Sequence, residues 1–137
     1  MRRRQTPILV VALVLAGCAA TPGKEPLPRG SLGPVTEEVS REAVLGLCEA
    51  RAEVERDPAA AGDAFLDRAH DRLHVIAAAV EEIDRPSAAR LLEAIASVEA
   101  DVRQDAEPER TAADLDALIE ATRASLERLG LAAPHCP

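Results

Sequence analysis

Between Pro34 and Leu129, apolar residues recur every three or four positions in four segments separated by short breaks. This spacing places the apolar residues on one face of a helix, and no segment has the period of two that a half-buried strand requires. The breaks fall at 57–58, 84–86 and 105–108, where Asp and Pro end one helix and start the next. Because short connections favour antiparallel neighbours, we predict an all-α fold, a four-helix up-down bundle.

The helix boundaries can be predicted from capping residues. The first helix starts at Ser40 or, one turn earlier, at Thr36, and the fourth starts at Thr111 or just before it. Gly62 is expected to loosen the first turn of the second helix, and Gly130 to end the fourth in a Schellman-type turn. The residues expected to form the core are Ala43, Val44, Leu47, Cys48, Val54, Phe65, Leu66, Ala69, Leu73, Ile76, Ala77, Val80, Ile83, Ala88, Leu91, Leu92, Ile95, Val98, Val102, Leu115, Leu118, Ile119, Thr122, Leu126 and Leu129.

Composition narrows the range of functions. The chain has 137 residues and a formal net charge of −8. It has one Phe, Phe65, and no Trp or Tyr. This length accommodates one small domain. The negative charge opposes binding to phosphate backbones, and the lack of aromatic rings removes the usual platform for base stacking. We therefore expect no nucleic-acid partner.

The N-terminal segment has the anatomy of a targeting signal. Three arginines, residues 2–4, precede an uncharged apolar run that is too short to span a bilayer as a stable helix. The run ends in Leu15-Ala16-Gly17-Cys18, which resembles the lipobox of bacterial lipoproteins. The resemblance implies that residues 1–17 are a cleaved signal peptide and that Cys18 becomes a diacylglyceryl-modified, acylated N-terminus that anchors the protein to a membrane. An ordinary secretory signal is the alternative.

Residues 18–33 contain the lipidated Cys and a Pro- and Gly-rich stretch, which we interpret as a flexible tether to a helical domain over 34–137. Cleavage would remove three arginines and bring the net charge to −11. So acidic a body is repelled by anionic headgroups and is expected to be held away from the bilayer. The expected location is the cell envelope, at the periplasmic face of an outer membrane or the outer surface of the cytoplasmic membrane.

Two cysteines remain once Cys18 carries lipid. Cys48 lies on the apolar face of the first helix, and Cys136 lies in the tail that follows the fourth helix. An even pair in an oxidising compartment predicts a disulfide, and the tail is long enough to fold back to the first helix of an up-down bundle. The alternatives are a buried free Cys48 and thiolate ligation of a metal.

Two histidines have the spacing of a metal-binding pair. His70 and His74 are four residues apart, so a helix presents both imidazoles on one face. Asp67 lies on the same flank, and a Cys48–Cys136 disulfide would bring His135 towards the same region. These residues predict a divalent transition-metal site. In the competing interpretation, both histidines make surface hydrogen bonds or ion pairs with neighbouring carboxylates.

No residue pattern indicates catalysis. HExxH, CxxC and paired Glu-x-x-His motifs are absent, and neither Ser87 nor Ser125 has an evident triad partner. We therefore expect a non-enzymatic, membrane-anchored bundle that acts as a protein-interaction or accessory module, with an envelope protein as its partner. The alternative is a metal-binding lipoprotein that uses His70 and His74. A hydrolase is a third possible class of protein, but the sequence contains no recognisable set of catalytic residues for it.

Overall fold

The computed structural model describes residues 33–137, which form four helices and no strand. Helix α1 is Glu37–Glu53, α2 covers 58–81, α3 is Arg85–Gln104 and α4 is Pro108–Arg128. The predicted signal peptide, Cys18 and nearly all of the tether lie outside the described residues. Within 33–137, no helix has the length and hydropathy needed to cross a membrane.

Side-chain caps start the first three helices. The hydroxyl of Thr36 accepts a hydrogen bond from the backbone amide three residues on, at 3.2 Å, and Ser40 lies inside α1. Asp57 and Asp84 accept the equivalent amide bonds at the starts of α2 and α3, each at 3.1 Å. Each satisfies one of the amides that a helix start leaves unpaired. The earlier of the two predicted starts for α1 and both Asp-based boundaries are confirmed.

The last helix starts earlier than its capping residues suggest. It begins at Pro108, three residues before Thr111, because Pro is well suited to the first helical position. Asp105 ends α3 in the left-handed conformation, with φ 48°. Gly130 has φ 71°, and the amide of Leu131 donates to the carbonyl five residues earlier at 2.9 Å. This is the predicted Schellman-type end.

Each helix packs against the next in the chain, and α1 also packs against α4. With three- or four-residue connections, this closes the predicted up-down bundle. Phe65 is fully buried and is the largest side chain of a core whose other large side chains are aliphatic. The other fully buried large side chains are Leu47, Leu73, Ile76, Leu91, Ile95, Leu115, Leu118, Leu126, Val44, Val54 and Val80.

Three residues expected in the core lie outside it: Leu66 is 46% exposed, Leu92 41% and Ile83 61%. Ile83 follows the last turn of α2 and Leu92 lies at the edge of its stripe. Leu66 is displaced by a π-helical segment, Phe65–His70, in the middle of α2. Because a π turn takes up one more residue than an α turn, it turns Phe65 inward and Leu66 outward relative to the residues that follow.

Two glycines allow close helix contacts. A Cβ built on Gly46 of α1 would lie 2.9 Å from the Cβ of Arg68, in the π-helical segment. A Cβ on Gly62 would lie 3.2 Å from a methyl group of Val102. The loosening predicted at Gly62 is therefore wrong: this glycine is buried in a regular turn, and the irregular turn comes directly after it.

The predicted disulfide is present. Cys48 and Cys136 are bonded, with their Cα atoms 5.4 Å apart and a separation of 88 positions in sequence. The bond fixes the non-helical tail to the middle of α1. Neither sulfur is free to ligate a metal, which removes both alternatives for Cys48.

Candidate metal centre

The π-helical segment ends at the first of the two histidines. His70 is its last residue and His74 follows one turn later in regular α-helix. Their ring centroids are 4.8 Å apart, with the planes 73° from parallel. The His70 ring also packs edge-on against Phe65, at 5.7 Å between centroids. The fully buried Phe65 ring therefore packs against the imidazole of His70 and restricts its orientation.

A carboxylate from the neighbouring helix completes the group. Oε1 of Glu99, in α3, lies 2.6 Å from Nε2 of His70 and 3.9 Å from Nε2 of His74. One ligand atom from each of the three residues lies within 4.8 Å of the other two. In a tetrahedral zinc site with bonds of about 2 Å, ligand atoms are about 3.3 Å apart. The distances from Oε1 of Glu99 to the two His nitrogens, 2.6 and 3.9 Å, therefore lie on either side of the spacing that one ion requires.

Two further charged groups surround the three donors. Oδ1 of Asp71 lies 3.1 Å from Nδ1 of His70, and a guanidinium nitrogen of Arg103 lies 3.6 Å from Oε2 of Glu99. A carboxylate on the distal imidazole nitrogen is the usual partner that orients a metal-ligating His. Asp71 would hold Nδ1 protonated and leave Nε2 to face Glu99 and an ion.

The same contacts set the protonation of His70. Its partial burial lowers the pKa, but the hydrogen bonds to Glu99 and Asp71, together with their negative charges, outweigh burial. The pKa of His70 therefore lies above its ordinary value. When His70 is protonated it forms an ion pair with Glu99, and a metal ion that binds here competes with that proton.

A shallow groove adjoins the group. It has a volume of about 330 Å³ and is lined by Leu66, His70, Glu99, Val102 and Arg103. The exposed Leu66 is part of its wall because of the π turn described above. The groove gives a water molecule or a small ligand access to His70 and Glu99.

The two histidines are together as predicted, but the predicted additional ligands are not with them. Asp67 is exposed and His135 is exposed in the C-terminal tail, and neither belongs to the group. The disulfide fixes the tail to α1 without bringing His135 to the other two histidines. The third donor is Glu99 instead.

Sequence reasoning missed Glu99 because its contact depends on the register between α2 and α3. The only local signal is its position directly after the buried Val98, at the edge of the apolar stripe of α3. That position marks a residue at a helix–helix boundary but does not identify what lies across it.

The fold is that of an all-α bundle, and comparison with known proteins does not identify a family for it. The chain matches no protein-family model, no curated protein and no solved structure. Its function must therefore be argued from its own residues.

Proposed function

We propose that this chain is a lipid-anchored protein of the bacterial cell envelope whose helical body captures a divalent transition metal at His70, His74 and Glu99. The observation that carries the proposal is the meeting of two imidazoles from one helix and a carboxylate from the next within 4.8 Å. Two His nitrogens and one carboxylate oxygen are a donor set of three-ligand zinc sites.

The chemistry of the three donors suits reversible capture. Three protein ligands leave a fourth position for water, as in open zinc sites, whereas structural sites are closed by four protein ligands. The side chain of His74 is 41% exposed and that of Glu99 25% exposed, so an ion would enter without opening the core. The body would then serve as an accessory module that holds a metal for an envelope partner, rather than as an enzyme.

The anchor is supported by the sequence of the N-terminal segment. Leu15-Ala16-Gly17-Cys18 follows a basic and then an apolar stretch, and two or more acyl chains give stable attachment where one gives marginal binding. The Cys48–Cys136 disulfide fits an oxidising compartment. A net charge of −11 after cleavage attracts cations to the body and opposes contact with anionic headgroups.

Calorimetric titration of the purified, metal-free protein in detergent with Zn²⁺, Cu²⁺ and Fe²⁺ at pH 7.5 tests the metal site. We expect one ion per chain with a Kd below about 10 µM for at least one metal, which corresponds to about −7 kcal/mol. Replacing His70 and His74 together by Ala should abolish this binding. Glu99→Gln should weaken it by about tenfold or more.

His135→Ala is the matched control, because it removes the third histidine from the exposed tail. It should leave the affinity unchanged. Two results would contradict the metal site: a parent Kd above about 10 µM, or equal affinities of the parent protein and the His70→Ala/His74→Ala variant. Either result would favour a helical bundle that acts only as a protein-interaction module.

A further inference from the structure

The groove beside His70 and Glu99 is large enough for a small organic molecule. Its volume is about 330 Å³, whereas an apolar cavity of about 150 Å³ holds benzene. Its walls include two of the three metal donors, His70 and Glu99, but not His74. A molecule in the groove therefore lies beside the donors of the proposed ion and can supply a further ligand to it.

Part of the groove wall is apolar and accessible to solvent. Leu66 is exposed, and Val102 is partly buried against the core. The π-helical segment turns Leu66 outward, and single π turns within α-helices are frequent at functional sites. Both side chains have aliphatic surface that a ligand could remove from water, so the groove favours a ligand with a hydrocarbon part.

The charges at the groove favour an anion once a divalent ion is bound. The ion brings two positive charges, and the largely exposed guanidinium of Arg103 brings a third. In the part of the chain that the structure describes, the carboxylates within ion-pairing distance of the two histidines are those of Glu99 and Asp71. Because both imidazoles are neutral when they ligate a metal, one positive charge is left uncompensated.

We infer that the metal-loaded groove binds a small aliphatic monocarboxylate. One carboxylate oxygen takes the fourth position on the ion, and the other accepts a hydrogen bond from the guanidinium of Arg103. The hydrocarbon chain packs against Leu66 and Val102. This inference rests on the proposed metal site and names the class of ligand that the bound ion carries with it.

Three probes separate these contributions: 3-methylbutanoate, acetate, which lacks the branched chain, and 3-methylbutanamide, which lacks the charge. Each is titrated at pH 7.5 into metal-free protein and into protein with equimolar Zn²⁺, and the methyl NMR shifts of Leu66 and Val102 report binding. We expect 3-methylbutanoate to bind the zinc form about tenfold or more tightly than either other probe. It should also bind the zinc form about tenfold or more tightly than the metal-free protein.

Two substitutions test the groove without removing a metal donor. Leu66→Ser should reduce the affinity for 3-methylbutanoate towards that for acetate, and Arg103→Gln should weaken the binding of both carboxylates about tenfold. Neither should weaken zinc binding. Leu92→Ser is the matched control, because it replaces an exposed leucine that does not line the groove, and it should leave all the affinities unchanged.

The outcomes distinguish this inference from the metal site on which it rests. Absence of zinc binding in the calorimetric titration would overturn this inference together with the zinc site. Normal zinc binding with equal affinities for the three probes would overturn this inference alone, as would equal binding of 3-methylbutanoate with and without zinc. A preference for the branched chain that survives Leu66→Ser would also overturn it. If that variant fails to fold, the three probes on the parent protein still decide the question.

Discussion

Gly46 of α1 lies directly against the backbone of α2 at Arg68: a Cβ on Gly46 would be 2.9 Å from the Cβ of Arg68 and 3.2 Å from its carbonyl carbon. This contact occurs within the π-helical segment, two residues before His70. The absence of a side chain at Gly46 therefore permits the close approach of the two helices beside the candidate metal centre.

Gly46→Ala is expected to destabilise the protein by about 1–3 kcal/mol through overpacking, even though Ala gains about 1 kcal/mol in intrinsic helix propensity. The atoms that a new methyl group would meet belong largely to backbone, so they cannot move aside cheaply. Urea unfolding followed by circular dichroism measures the change. The reverse substitution Ala89→Gly, at an exposed position of α3, reports propensity alone. An increase in stability with Gly46→Ala would contradict the close contact.

Glu99→Gln is expected to lower the pKa of His70 towards its ordinary value, because it removes a negative charge 2.6 Å from Nε2. The raised pKa means that the pair stabilises the folded protein fully below about pH 6.5, the unfolded value. This stabilisation is lost as the pH rises through the folded pKa. NMR titration of the His70 ring protons gives the pKa directly. Glu93→Gln, on the exposed face of α3, should leave it in place.

Reduction of Cys48–Cys136 is expected to lower the melting temperature. In the chain-entropy description, a bond across 88 residues restricts the unfolded chain by about 4–5 kcal/mol. Calorimetric melting with and without reductant measures the loss. A Cys48→Ala/Cys136→Ala protein should melt at a lower temperature and no longer respond to reductant. Detection of two free thiols in the oxidised protein would show that the bond is absent.

Asp101→Asn is expected to stabilise the protein near neutral pH. Burial raises the pKa of Asp101, the nearby Asp114 adds to the effect, and Arg110 opposes it. The folded state therefore binds its proton more tightly than the unfolded state, and stability falls as the pH rises from about 3.9 through the folded pKa.

The isosteric amide removes that loss, so we expect a gain of about 1–3 kcal/mol at pH 7 that disappears below about pH 4. Thermal or urea unfolding at both pH values measures it. Glu109→Gln, which removes an exposed charge, should change stability little at either pH. A destabilised Asp101→Asn protein at pH 7 would show that the ion pair with Arg110 outweighs the cost of burying the carboxylate.

Cys18→Ser is expected to abolish lipid attachment. The lipobox resemblance predicts that the precursor then stays unprocessed and does not partition into the detergent phase of a Triton X-114 extraction. The parent protein should partition there and carry radiolabel from palmitate. Ala20→Ser, beyond the lipobox, is the control. A Cys18→Ser protein that is cleaved and partitions like the parent would indicate an ordinary secretory signal.

The sequence was sufficient to predict the four helices and most of their boundaries, because these depend on local chemistry. Asp57 and Asp84 with the adjacent prolines, and Gly130 with Leu131, act within one or two turns of themselves. The cysteine pairing was also predictable from parity and expected compartment. These features do not require knowledge of what lies on a neighbouring helix.

The π-helical segment and the third metal-site donor could not be predicted in the same way. Leu66 continues the apolar spacing perfectly well as an α-helical residue, and its exposure follows from the irregular turn beside Gly46. Glu99 meets His70 because of the relative register of two helices. Both features depend on how the surface of one helix fits against the surface of another. The spacing of residues along either helix alone does not predict that fit.

The bond between Cys48 and Cys136 also determines how the folded body would respond to a protease. Both connections that follow α2 and α3, at 82–84 and 105–107, lie within the covalent ring that this bond closes. A single cut at either connection opens the ring without separating the products, so the nicked protein keeps its intact mass on a non-reducing gel, apart from one added water. Two fragments appear after reduction. A cut before Cys48, in contrast, releases everything that precedes it, including the proposed lipid anchor at Cys18, from the helical body.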